Sequence, residues 1–169
     1  IPDPASSGRL NEWLEATRTL SEAIGDHVFI MGRADQGPFS IACLLRGTTQ
    51  FMMDLLTEDK QLIDDVLEYC RKISAVFAKA QKDAGAHVTS IGDAFAGPNL
   101  ISPDMYRQFA LIPEQKLAKE VQDYGIPFDV TATSLARFPD VLEMTDAEDD
   151  DEMLHLFLMD ALTTATDQF

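Results

Sequence analysis

The stretch "GAHVTSIGDAFAGPNLISPDMYRQF", residues 85–109, decides how the chain is to be read. Gly85 closes a long helical pattern, and "HVTSIGD" supplies a short run of strand formers ending in a carboxylate, Asp93. A loop of small residues follows. Ser102, Pro103 and Asp104 then carry the signals of a helix start: an N-cap hydroxyl, a proline at the first position and an acid near the positive helix end. Asp93 therefore stands where a strand gives way to a loop. It reads either as a binding-site carboxylate or as a turn residue that accepts from nearby backbone N–H groups.

Working outward, the same alternation recurs. Upstream, residues 60–82 place Leu62, Ile63, Val66, Leu67, Cys70, Ile73, Val76, Phe77 and Ala80 on one apolar stripe of a helix. "HVFIMG", 27–32, reads as a buried strand, and Pro38 opens a helix through "FSIACLL". Helical patterns also cover residues 50–56 and 9–24, the latter with Leu10, Trp13, Leu14, Leu20, Ala23 and Ile24 on one side. Downstream, Met105, Phe109 and Ile112 point a helix inward, Pro113 is expected to interrupt it, and Gly125 to stop it. "IPFDVTA" starts a third strand at 126, a helix over 135–144 follows, and an acidic linker, 146–152, precedes an apolar helix over 153–169.

Strand, helix, strand, helix, strand is the order of a parallel sheet with helical crossovers, an α/β fold. Ligands in such sheets bind at the C-terminal strand ends. Three loops qualify: Arg33 to Pro38, Asp93 to Ser102, and Asp129 to Ser134. Arg33 reads there as a site cation or a solvated loop charge, and Tyr106 as a site aromatic or a packing residue.

Composition narrows the partners. The chain has 169 residues, 46% hydrophobic and 25% charged, enough for one domain with a core. Its 13 basic residues against 29 acidic ones give a formal charge of -16, which repels phosphate backbones and anionic lipid surfaces. No nucleic acid and no membrane are expected as partners. Cys43 and Cys70, among apolar neighbours, read as buried free thiols of a cytoplasmic protein. No apolar run approaches the ~20 residues of a membrane span. The absent initiator Met suggests a trimmed or partial chain.

"GRADQGPFSIACLLRG", 32–47, together with "GAHVTSIGDAFAGPNLISPDMYRQFALIPEQKLAKEV", 85–121, and "GIPF", 125–128, resembles the uroporphyrinogen decarboxylase family over roughly residues 1–145. "GDAFAGPNLISPDMY" is closer to its corrinoid-dependent methyltransferase branch than to the porphyrin enzymes. The resemblance implies part of a (β/α)₈ barrel, with Asp93 as the catalytic candidate in the barrel mouth. Arg33, Gly37, Pro38, Tyr106 and Asp129 are the substrate-binding candidates around it. It further implies methyl transfer from a methylated corrinoid, carried on a partner corrinoid protein, to a thiol or related small-molecule acceptor. The alternatives are a porphyrinogen decarboxylase and a non-catalytic acidic scaffold on the same fold.

The chain departs from both branches. The thiol-activating branch holds zinc with a His-x-Cys pair on the strand after "GIP", and here those positions are Thr131 and Thr133, so a zinc site of that form is not expected. The Arg-rich N-terminal motif of the porphyrin branch has no counterpart before Arg33, and His155 lies beyond the acidic run, where the resemblance has ended. A barrel of this kind takes ~250 residues. Self-association, or a missing remainder of the barrel, is expected to cover the sheet edge, unless "MLHLFLMDAL", 153–162, caps it.

Overall fold

A computed structural model describes residues 1–34 and 36–126 and the backbone of 128–130. Helix α1 (Gly8–Ile24) leads to strand β1 (Met31–Arg33), then helices α2 (Pro38–Arg46), α3 (Thr48–Thr57) and α4 (Lys60–Asp83). Strand β2 (Val88–Ile91) follows, then the short helix α5 (Pro103–Met105), a wide turn over Tyr106–Ala110, helix α6 (Leu111–Asp123) and strand β3 (Phe128–Val130). The sheet is parallel in the order β1-β2-β3, with Gly32 opposite Thr89 and Ser90 opposite Asp129. This is the expected α/β architecture. The candidate helix over 135–144, the acidic linker 146–152 and the C-terminal helix 153–169 lie outside the described residues, as do Thr131 and Thr133.

Central strand β2 is buried along its whole length, which is why Val88, Thr89, Ser90 and Ile91 carry no charge. The helix before each of β2 and β3 stops by one device. After α4, Gly85 adopts φ +99 while its N–H donates to Lys82 O and that of Ala86 to Gln81 O. After α6, Gly125 at φ +84 and Ile126 repeat the two bonds to Gln122 and Val121. A residue with a Cβ is strained at such a φ, so glycine sets both helix-to-strand junctions.

Helix α4 is the spine and packs against α1, α2, α3 and α6. Its buried face is wider than an apolar stripe. Besides Ile63, Leu67, Cys70 and Phe77 it includes Arg71, Ser74 and Gln81. Arg71 bonds Glu68 and reaches across to Glu120 on α6, which also takes Lys79. Ser74 and Gln81 are spent on the loop after β1, described below.

Three expectations are corrected. The first strand begins at Met31 rather than His27, because the N–H groups of His27 and Val28 still donate to Ile24 O and extend the turn that closes α1. The α1 stripe faces largely outward: Leu14 is buried, but Leu10, Trp13, Leu20 and Ile24 are exposed, since α1 meets the body mainly through α4. Trp13 meets Phe77 edge-on. Finally, the interruption expected at Pro113 falls just upstream of it, between α5 and α6. The wide turn, in which Leu111 N–H donates to Tyr106 O, ends just before it and places Pro113 in the first turn of α6, where a missing N–H is harmless. The same extra residue turns Ile112 outward while Phe109 stays buried.

Candidate functional site

Parallel strands bring the ends of β1 and β2 together, and the loop after β1 is fixed there by backbone and buried side chains. Ala34 N–H donates to Ser90 O, and Gly37 N–H to Gly92 O at 2.8 Å. From α4, Ser74 Oγ donates to Gln36 O at 2.7 Å and Gln81 Nε2 to Arg33 O at 2.7 Å. The loop is therefore held from two sides and delivers α2 with its N-terminus facing the end of β2.

Asp93 receives that N-terminus. Phe39 N–H donates to Oδ2 at 2.9 Å, while Ser40 N–H at 2.6 Å and Ser40 Oγ at 2.5 Å converge on Oδ1. Ser40 Oγ in turn accepts from Phe95 N–H at 3.1 Å and so ties the loop after β2 into the same knot. Orphan N–H groups of a helix start make a natural carboxylate site. Gly37 permits the approach, since a Cβ there would lie 2.5 Å from Asp93 Cβ, Cγ and Oδ2. Asp93 is 4% exposed. Burial raises its pKa from 3.8 to about 6, against the opposing pull of the bonds from Ser40 and Phe39.

A second carboxyl group lies beside the first. Glu114, in the first turn of α6, accepts from Tyr106 Oη at 2.6 Å, and its carboxyl group interacts with that of Asp93. Part of the Glu114 stem is exposed, but its Oε1 atom is shut off from solvent. Burial, and then the neighbouring Asp93, push the Glu114 carboxyl well above the usual 4.5. Burial, then Glu114, raise the Tyr106 phenol as well. Cys43 and Cys70, free and fully buried as expected, complete the surroundings. Burial first, and Asp93 second, push their thiols up to about 12 and about 11.

Of the sequence candidates, the structure brings Asp93, Gly37 and Pro38 into one cluster and joins Tyr106 to it through Glu114. Arg33 stands exposed at the end of β1, level with Ser90. Asp129 lies in β3 on the other side of Ser90, with its side chain outside the described set. Ser40 and Glu114 escaped the sequence reading. Ser40 is one of several polar residues in a helix start. Glu114 is eight residues from Tyr106, a spacing about 80° apart on a regular helix. The wide turn removes that offset.

No three His, Cys, Asp or Glu side chains come together as a metal-binding set among the described residues. The two thiols present are held protonated in an apolar setting, the opposite of a thiolate ligand's environment. Among the described residues, Cys43 and Cys70 do not form a thiolate site for zinc.

The family model for uroporphyrinogen decarboxylase (URO-D) matches residues 1–136. A methylcobamide:CoM methyltransferase of Methanosarcina barkeri is 32% identical over 124 residues, covering 73% of this chain and 36% of the relative. A uroporphyrinogen decarboxylase of Syntrophotalea carbinolica is 26% identical over 119 residues, 68% of this chain and 34% of the relative. The chain thus spans about a third of the length of these curated relatives. Among solved structures, a methyltransferase from Methanosarcina mazei superposes with a TM-score of 0.72 at 30% identity, covering 86% of this chain and 42% of the other.

Proposed function

The chain belongs to the uroporphyrinogen decarboxylase family, and from that premise we propose that it serves methyl transfer from a methylated corrinoid, presented by a partner corrinoid protein, to a small thiol. What supports this reading is the 32% identity over 73% of the chain with a methylcobamide:CoM methyltransferase and the methyltransferase fold match, although decarboxylases reach 30% over 67%. In such a transfer the sulfur gains the methyl group and the thiol loses its proton. The chain's own contribution is a rigid piece of the site floor. Asp93 locks α2 to the end of β2, and Gly37 and Pro38 shape the rim above it. Arg33 and Asp129, level with Ser90 on the flanking strands, are the residues this reading assigns to the acceptor.

The test is thioether formation from a methylcobamide and a small thiol, followed with the loss of the methylcobamide absorbance. Product above the protein-free rate is expected, and it should fall in Arg33→Ala. Carbon dioxide release from a porphyrinogen without thioether would replace this reading with the decarboxylase. A folded chain that does neither, with its corrinoid protein present, would leave the scaffold reading.

A further inference from the structure

We propose that Glu114 is a carboxylic acid in the native protein: its hydroxyl hydrogen, on Oε1, is donated to Asp93, its Oε2 accepts from Tyr106, and Asp93 alone carries the pair's charge. Which reaction the chain serves does not enter into this inference.

The hydrogen bonds assign the proton. Both Asp93 oxygens already accept: Oδ2 from Phe39 N–H, Oδ1 from Ser40 N–H and Oγ–H. Three donors converging on one carboxyl group favour its anionic form, and Oδ2, which accepts from Phe39 N–H, has room for one more donor, the Glu114 hydroxyl. Glu114 has the complementary shortage. Oε2 takes the Tyr106 hydroxyl, whereas Oε1 is closed off from solvent and receives no donor among the described residues. A buried carboxylate oxygen with no donor, beside a second carboxylate, is an unfavourable arrangement. A hydrogen on Oε1 resolves it, since Glu114 then supplies a donor to Asp93.

Among the described residues, the groups acting on Glu114 are Asp93 from the loop after β2 and Tyr106 from the wide turn, and those acting with Asp93 include Cys43 from α2 and Cys70 from α4. Burial shifts both thiols and the phenol upward, so all three stay neutral where exposed carboxyls have ionised, and none supplies a countercharge. Glu114 is therefore a positioning residue that acts through Asp93. Ionising it would set two anions side by side and loosen Asp93 from the start of α2, and with it the Gly37–Pro38 rim.

The experiment uses the 169-residue chain labelled with carboxyl-13C glutamate. The Glu114 resonance is identified by its disappearance in Glu114→Gln. It is expected to remain at its protonated position at neutral pH, well above the ordinary glutamate value of 4.5. Glutamine offers the same pattern, an N–H donor towards Asp93 and a carbonyl towards Tyr106. Glu114→Gln should therefore keep the slow amide exchange of Phe39 and Ser40, while Glu114→Leu should speed it about ten-fold or more. A Glu114 resonance that titrates with the exposed glutamates overturns the proposal, as does equal protection in the leucine variant. If Glu114→Leu does not fold, the resonance of the unaltered chain decides alone.

Discussion

Gly37 and Asp93 occupy each other's space, and single-atom changes at either should register. Gly37 has φ -71, which any residue adopts, so the cost of Gly37→Ala comes only from the Cβ forced against the Asp93 carboxyl. That overpacking is expected to destabilise by about 1–3 kcal/mol, read from the urea midpoint. Asp93→Asn keeps the shape but swaps one acceptor oxygen for an N–H₂ group, leaving a helix-start N–H without its partner. About 2 kcal/mol should be lost. Asp93 was visible in the sequence because an acid after a run of strand formers is unusual. The source of its donors was not, because Phe39 and Ser40 lie 54 and 53 residues away.

Helix α4 shows what element-level patterns carry. Its length and limits follow from a long apolar period, the Asp59 N-cap and Gly85. Its second buried face does not, since Ser74 and Gln81 look like surface residues until the loop after β1 is laid against them. Ser74→Ala removes the bond to Gln36 O. About 1 kcal/mol of stability should be lost, together with faster amide exchange at Gly37, which the same loop carries to Gly92. Strand β1 and the outward face of α1 were misread for a related reason. Hydrophobic periodicity gives the side of a helix that is apolar, but not whether anything covers it.

Across the molecule, burial and ion pairing pull stability in opposite directions with pH. Burial raises the carboxyls of the Asp93–Glu114 pair, Asp93 from 3.8 to about 6 and Glu114 well above 4.5, so the contribution of the proton that the pair holds is present at low pH and is lost as pH climbs through these raised values. Glu68 is lowered from 4.5 to about 2, chiefly by its bond from Arg71, so its contribution is present above 4.5 and is lost as pH falls through about 2. The formal charge of -16 adds self-repulsion above neutrality. The thermal unfolding midpoint should peak in mildly acid solution, and Glu114→Gln should flatten its decline towards alkaline pH. The exposed Leu10, Trp13, Leu20 and Ile24 of α1, together with exposed Met31 on the edge strand β1, are expected to pair with a second copy. Sedimentation should show concentration-dependent association that weakens in Trp13→Glu, and a compact monomer at high concentration would contradict it.

The latch on α2 also sets an order of events during folding. α2 has no side-chain cap of its own, and its start is completed by a carboxylate 54 residues further along the chain. On a chain emerging from the ribosome, α2 is made early yet stays unfinished until β2 has been synthesised and has docked beside β1. Helix α4, with its local cap at Asp59, needs no such delay. The rim around Gly37 thus becomes native only after β2 has docked, and a nascent chain ending before Asp93 would leave it unformed.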